Sequence, residues 1–292
     1  MKVTVENKKG LNKDLKVFID KKTISLYMDE KYEEVKDGLK GCTHVCHQAA
    51  LGSVPRSIQD PIRTNEINIS GSLNVLNEAQ KISVERFVFA SSSSVYGDNK
   101  DMPKVESRVG KVLSPYAVTK SAFEEYARVF HEIHGSGTIG LRYFNVFGPR
   151  QSPEGAYAAV IPLFMKRLRE GEQPIIFGDG EQTRDFTYVQ NAVDANILSL
   201  FGDVPEAFGK TFNVACGETL TINRVYTQIR QVMSESLDIG NIEPIYEPPR
   251  SGDIKDSLAD LSQAERFLGY NPNVDFSEGI RSTVSWFLEG NS

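Results

Sequence analysis

The sequence predicts an α/β fold, a doubly wound parallel sheet with a smaller α/β lobe, on three observations. Thr43–His47, Arg86–Ala90 and Ile139–Phe144 are short apolar-rich runs that each end in polar or small residues. Between them apolar residues recur at helical spacing, with Ile69, Leu73 and Leu76 on one face. Phe123, Tyr126, Phe130 and Ile133 form a second stripe that stops at Gly135. Strand and helix alternating at this interval build parallel βαβ units.

Ligands bind beyond the carboxyl ends of strands in such sheets. The segments that follow those ends are His47-Gln-Ala-Ala50, Ser91 to Ser94 and Asn145-Val-Phe-Gly148, so three polar clusters are expected around one crevice. After Gly148 the character changes. Pro149, Pro153, Pro162 and Pro174 punctuate the chain, and Gly178-Asp-Gly180 marks a turn. Thr211–Val214 returns to the strand pattern, and Glu247-Pro-Pro-Arg-Ser-Gly-Asp253 precedes a last helical section. The expected division is a dinucleotide-binding domain over 1–148, with part of 185–220 returning to it, and a substrate lobe from 149–184 and 221–292.

Composition narrows the class. With 292 residues the chain can bury one sizeable core or a core with a second lobe. Thirty-three basic against 39 acidic residues give a net charge of −6, which argues against nucleic-acid or anionic-membrane partners. The longest apolar stretch, Ala156–Met165, is interrupted by Pro162 and too short to span a bilayer. Met1–Glu6 lacks the apolar core of a signal peptide. Cys42, Cys46 and Cys216 have no metal-ligand spacing and read as buried free thiols of a cytoplasmic protein. No metal is expected.

Two stretches carry chemistry. In Tyr116-Ala-Val-Thr-Lys120, opening a helix, phenol and ammonium lie one turn apart on one face. A free phenol titrates near 10, too high for a base at neutral pH. A neighbouring ammonium and a nicotinamide ring would favour the phenolate. A hydroxyl from Ser92, in Ser91-Ser-Ser-Ser94, could bridge a substrate alcohol to that phenol. This apparatus takes a proton from a carbinol while hydride leaves its carbon. Taken alone, Tyr and Lys at this spacing also fit an ordinary helix.

With these residues placed, the chain resembles the extended short-chain dehydrogenase/reductases, a Rossmann-like family. It is most similar to their sugar-nucleotide 4-epimerases, especially the bacterial UDP-N-acetylglucosamine 4-epimerase group. The carrying segments are His47–Ser57, Ser91–Gly97, Leu113–Lys120, Leu141–Gly148, Gly155–Pro162, Gly178–Gly180 with Arg184-Asp-Phe186, and Arg250-Ser-Gly-Asp253. The resemblance implies NAD as a resident cofactor, a UDP-sugar as substrate and a homodimer pairing through the helix that starts at Pro115. It makes Tyr116 the base, Lys120 the holder of the nicotinamide ribose, and Ser92 the residue that orients the sugar 4-hydroxyl, with Ser94 assisting. Ala49, Asn68, Ala90 and Tyr143 would line the cofactor. Gly52, Ser53, Ser93, Asn145, Ala159 and Val160 would line the sugar nucleotide, with Arg184 and Arg250 on its diphosphate and Asp253 on the UDP ribose.

The resemblance also implies the reaction. Related dehydratases place an acid pair between the serine and the Tyr-Gly, because expelling water needs an acid and a base. Here the interval is Ser93-Ser94-Val95, which disfavours elimination and leaves reversible hydride transfer. Relatives restricted to glucose and galactose carry a bulky aromatic four residues after the phosphate-region aspartate. Here Ser257 stands there and leaves room for an N-acetyl group. Alternatively, Ser257 caps a helix opening with Leu258-Ala-Asp-Leu261.

One departure stands out. No early stretch has glycines spaced as G-x-x-G-x-x-G, and Gly10, Gly38 and Gly41 do not fit. That loop supplies backbone N–H groups to the dinucleotide pyrophosphate. Lys2–Asn7 reads as the second strand, with Glu6 at the adenine ribose and Asp29 near the adenine, so the sheet is expected to be incomplete at the N-terminus. Three readings stay open: a UDP-N-acetylhexosamine (or uronic acid) 4-epimerase, a UDP-glucose 4-epimerase, and an inactive sugar-nucleotide-binding paralogue or shortened gene product.

Overall fold

A computed structural model describes residues 2–3, 15–16, 32–154, 159–249 and 256–290. Helix α1 (Tyr32–Leu39) leads into strand β1 (His44–His47). Two short helices follow, α2 (Val54–Gln59) and α3 (Pro61–Asn65), then a π-helical turn over Glu66–Gly71 and α4 (Ser72–Lys81). Strand β2 (Arg86–Ser92) ends in a 3-10 turn, Ser93–Tyr96. Helix α5 (Pro115–His134) and strand β3 (Thr138–Tyr143) complete the first half. Helices α6 (Val160–Arg169) and α7 (Val189–Phe201) precede strand β4 (Lys210–Val214). The chain closes with α8 (Ile222–Ser234), α9 (Ser262–Leu268) and α10 (Phe276–Leu288).

The main sheet has four strands in the order β4-β3-β2-β1. Strands β1 and β2 pair in parallel, with Val45 opposite Phe87 and His47 opposite Phe89. The fold class is the α/β arrangement expected. Contacts divide the chain into two compact units. The first holds Met1–Ser91, Ser114–Gly140 and Ser199–Thr211, and the second Ser92–Leu113, Leu141–Leu198 and Phe212–Ser292.

In the first unit, Val45, Leu76, Phe87, Phe89, Phe123 and Ala127 form the buried core. Phe89 and Phe123 meet edge to face, with ring centroids 5.0 Å apart, the geometry that the ring quadrupoles favour. Each fully buried ring adds about 1.5–3 kcal/mol of transfer free energy. Helix α5 starts where Ser114 Oγ accepts the Ala117 N–H at 3.1 Å, with Pro115 as first helical residue. It stops where Gly135 takes the left-handed conformation at φ 69°. In the second unit, Phe147 packs against Phe276 at 5.2 Å and Phe186 at 6.2 Å. Ile161, Phe164, Val225 and Ile280 fill the rest of that core.

Several sequence expectations change. The α5 stripe is only partly buried: Phe123 faces the core, but Tyr126 is 40% and Ile133 68% exposed. A 3.6-residue period fixes a face without saying what covers it. The cysteines are free, yet not buried; Cys42 and Cys216 are half-buried and Cys46 is exposed. Alternation along β1 turns Val45 and His47 inward and Cys46 outward. Leu258–Leu261 is not helical: Ala259 bridges Lys104 in parallel, and the helix begins at Ser262. Among the described residues, no helix is long and apolar enough to cross a membrane.

Gly97 closes the turn that follows β2. Its φ is 52°, and a Cβ there would lie 1.9 Å from the Lys111 carbonyl oxygen. The neighbour is backbone and cannot swing away. Gly97→Ala is expected to cost about 3 kcal/mol, read as a lower urea midpoint at unchanged m-value.

Candidate active site

The first unit holds the phenol–ammonium pair. Capping by Ser114 and the fixed φ of Pro115 set the first turn of α5, which presents Tyr116 half-buried. Lys120 follows one turn later, 7% exposed. Its Nζ lies 5.9 Å from the Tyr116 ring centroid and donates to the Ala90 carbonyl at 2.7 Å. Burial lowers the Lys120 pKa to about 8, opposed by the Glu124 carboxylate. At neutral pH it remains mainly an ammonium. Ala90, assigned to the cofactor from sequence, thus touches the lysine through its backbone.

Asn68 is fully engaged. Its Oδ1 accepts from the Leu51 N–H at 2.8 Å, and its Nδ2 donates to Leu51 O and Thr119 Oγ1, both at 3.1 Å. It ties the segment carrying Ala49, Gly52 and Ser53 to α5. Ser53 sits at φ 97°, in the region that favours glycine, and its Oγ accepts the Arg56 N–H at 3.3 Å. His47, ending β1, pairs its Nε2 with Ser72 Oγ at 2.8 Å. Burial, with Lys120 adding to it, lowers its pKa to about 3.

The second unit holds the serines and a pocket. Ser92 ends β2, and its Oγ accepts the Ser94 N–H at 3.2 Å, which starts the 3-10 turn containing Ser93 and Ser94. Ser94 Oγ is buried without a partner among the described residues, a state that calls for a hydrogen-bonding occupant. The turn is held from below: Tyr96 donates its hydroxyl to Asn213 Oδ1 at 2.6 Å, and Asn213 Nδ2 donates to Lys104 O and Asp260 O. Tyr143 accepts from Asn196 Nδ2 at 2.7 Å.

A pocket of about 370 Å³ is lined by four residues named from the sequence, Asn145, Ala159, Val160 and Arg184. Phe177, Gln182, Arg167 and Gln151 share its wall. Its mixture of aromatic and aliphatic walls with two guanidinium side chains suits a flat base next to anionic groups. Ser257 is buried at 9% exposure in a segment fixed on both sides. Thr183 Oγ1 donates to Asp256 at 2.9 Å, and Asp185 accepts the Ala259 N–H at 3.2 Å. Glu6, Asp29, Arg250 and Asp253 lie outside the described residues. Among those described, no group of His, Cys, Asp and Glu side chains could hold a metal ion.

Comparison with known proteins bears on this arrangement. Residues 11–215 match the NAD dependent epimerase/dehydratase family. The chain belongs to that family. It is 42% identical to the UDP-N-acetylglucosamine 4-epimerase of Methanobrevibacter ruminantium M1, solved with UDP-N-acetylmuramic acid. That structure aligns with a TM-score of 0.82 over 90% of this chain and 83% of the other. The UDP-glucose 4-epimerase of Thermotoga maritima, solved with UDP-glucose, aligns with a TM-score of 0.83 at 34% identity, over 90% and 83%. The UDP-glucose 4-epimerase of Mycolicibacterium smegmatis is 34% identical over 83% of this chain and 75% of its own. NAD is the cofactor of the family, and its UDP-sugar epimerases are isomerases.

Sequence reasoning missed Asp185, although it quoted Arg184-Asp-Phe186. The carboxylate accepts N–H bonds from Cys216 at 2.9 Å, Gly217 at 3.1 Å and Ala259. A charged residue flanked by a buried phenylalanine was the available signal. Burial raises its pKa to about 6 against those donors. A carboxyl raised above its unfolded value of 3.8 contributes stability that is fully present below that pH and fades as pH rises through 6. The unfolding free-energy advantage of the wild type over Asp185→Asn should therefore shrink between pH 4 and pH 7. A gap that stays constant across that window counts against burial as the dominant effect.

Proposed function

We propose that the protein is an NAD-dependent 4-epimerase whose substrate is a UDP-N-acetylhexosamine. The observation that carries this reading is the buried Lys120 ammonium, one helical turn from the Tyr116 phenol and 5.9 Å from its ring. The ammonium has three donors and Ala90 takes one, so the others suit the hydroxyls of a ribose. When bound, NAD would supply reversible hydride transfer at the sugar carbon with no net oxidation, and Lys120 would hold its ribose. The chain's own residues move the proton: Tyr116, as phenolate, takes it from the 4-hydroxyl, and Lys120 stabilises that phenolate. The family resemblance gives Ser92 the role of orienting the hydroxyl and Ser94 a second contact, and the buried Ser94 oxygen has no partner among the described residues. The pocket lined by Val160, Asn145 and Arg184 takes the nucleotide end.

The N-acetyl preference rests on Ser257. In this reading its small side chain, in a segment held at Asp256 and Ala259, would leave to an N-acetyl group the space that an aromatic ring takes. Residues 1–148 with part of 185–220 are the cofactor lobe in this reading, and 149–184 with 221–292 are the substrate lobe. A homodimer through α5 is also part of it. Ile58 and Ile62 on α2 and α3, with Val118 and Tyr126 on α5, are exposed apolar side chains of the first unit, which suit a covered helix face.

Purified protein incubated with UDP-N-acetylglucosamine and NAD is expected to yield the galacto isomer, resolved by chromatography of the hexosamines. Tyr116→Phe should lower kcat by about 10²–10⁴-fold. Turnover confined to UDP-glucose and UDP-galactose would overturn the N-acetyl assignment. Absence of product with every UDP-sugar would overturn the enzymatic reading.

A further inference from the structure

The spacing that joins Tyr116 to Lys120 continues for one more turn. Glu124 follows four residues later, so phenol, ammonium and carboxylate come from three successive turns of α5. Two adjacent residues of β2 meet the second and third of these groups. Lys120 Nζ donates to Ala90 O at 2.7 Å, and Ser91 Oγ donates to Glu124 Oε1. Ser91 is buried and Glu124 half-buried. A carboxylate withdrawn from water to meet a serine is costly unless it interacts with a charge nearby. Among the described residues, the titratable groups that act on or touch Lys120 are Tyr116 and Glu124 on its own helix and His47 from β1. The imidazole is held neutral by burial, so the negative charge acting on Lys120 is that of Glu124.

We infer that Glu124 is a positioning residue for proton transfer: anchored by Ser91, its carboxylate keeps Lys120 charged in its buried seat beside Tyr116. The catalytic consequence rests on the epimerase reading above, whereas the coupling of Glu124 to Lys120 does not. Burial already pulls Lys120 down to about 8. Without the carboxylate the Lys120 pKa falls further, and the phenolate keeps its stabilising charge over a narrower range of pH.

Two measurements test this. Glu124→Gln keeps an acceptor for Ser91 and nearly the same shape while removing the charge. Activity that needs the ammonium falls as pH rises through the Lys120 pKa, so this high-pH limb of kcat should move down by about one unit. That is about tenfold less activity on the limb, with little change near pH 6.5, and Glu124→Asp should restore part of it. A uniform loss with an unmoved limb would overturn the inference and leave Glu124 a packing role. The second measurement needs no turnover. Because the folded Lys120 titrates below its unfolded value of 10.5, the unfolded chain binds more protons between the two, and stability climbs with pH across that window. In Glu124→Gln the climb should begin at lower pH, and in Lys120→Met its contribution should vanish. If no UDP-sugar turns over but the climb shifts, the coupling stands and the epimerase reading falls; an unshifted climb overturns the coupling itself.

Discussion

An ammonium held almost out of water is the constraint around which the first unit is organised. Taking a lysine to 7% exposure is costly unless its donors are met. The Ala90 carbonyl meets one of them, which requires α5 to lie against the end of β2 with little freedom. The Ser114 cap, the Phe89–Phe123 contact and the Asn68 bridge from Leu51 to Thr119 all serve that register. Only the cap is local in sequence, and together the three leave Tyr116 one defined place on the helix. Chemistry and packing are therefore the same problem in this unit.

The second unit solves its problem with backbone donors. The Arg184-Asp-Phe186 stretch looks like a charged interruption of an apolar run. In the structure its central carboxylate gathers N–H groups from two distant segments, while Arg184 lines the pocket. Asn213 does the neutral equivalent, joining the turn after Ser94 to Lys104 and Asp260. Buried polar groups satisfied in this way rigidify the loops that carry pocket walls.

Much of this was legible from residue order. The three strands, the α5 stripe with its Gly135 stop and the Tyr116–Lys120 pair follow from periodicity and caps, which are local properties. Asn145 follows a strand end and was legible from topology, whereas Ala159, Val160 and Arg184 were reached only through family likeness; all four line one pocket. What sequence could not supply was anything set by partners distant along the chain. Asp185, Glu124 and Asn213 look like ordinary polar residues until Ala259, Ser91 and Tyr96 are brought to them. Nor could period alone say that Tyr126 and Ile133 face outward, that Cys46 lies on the open side of β1, or that Leu258–Leu261 extends instead of coiling.

His47 carries a consequence of its own. Packed between Phe87 and Phe123 and bonded to Ser72, its imidazole stays uncharged down to about pH 3. Burial, with Lys120 adding to it, disfavours a charged imidazole here. The side chain acts as an aromatic spacer with one polar edge, so the charge that responds to pH in this corner is that of the neighbouring Lys120 and not that of the imidazole.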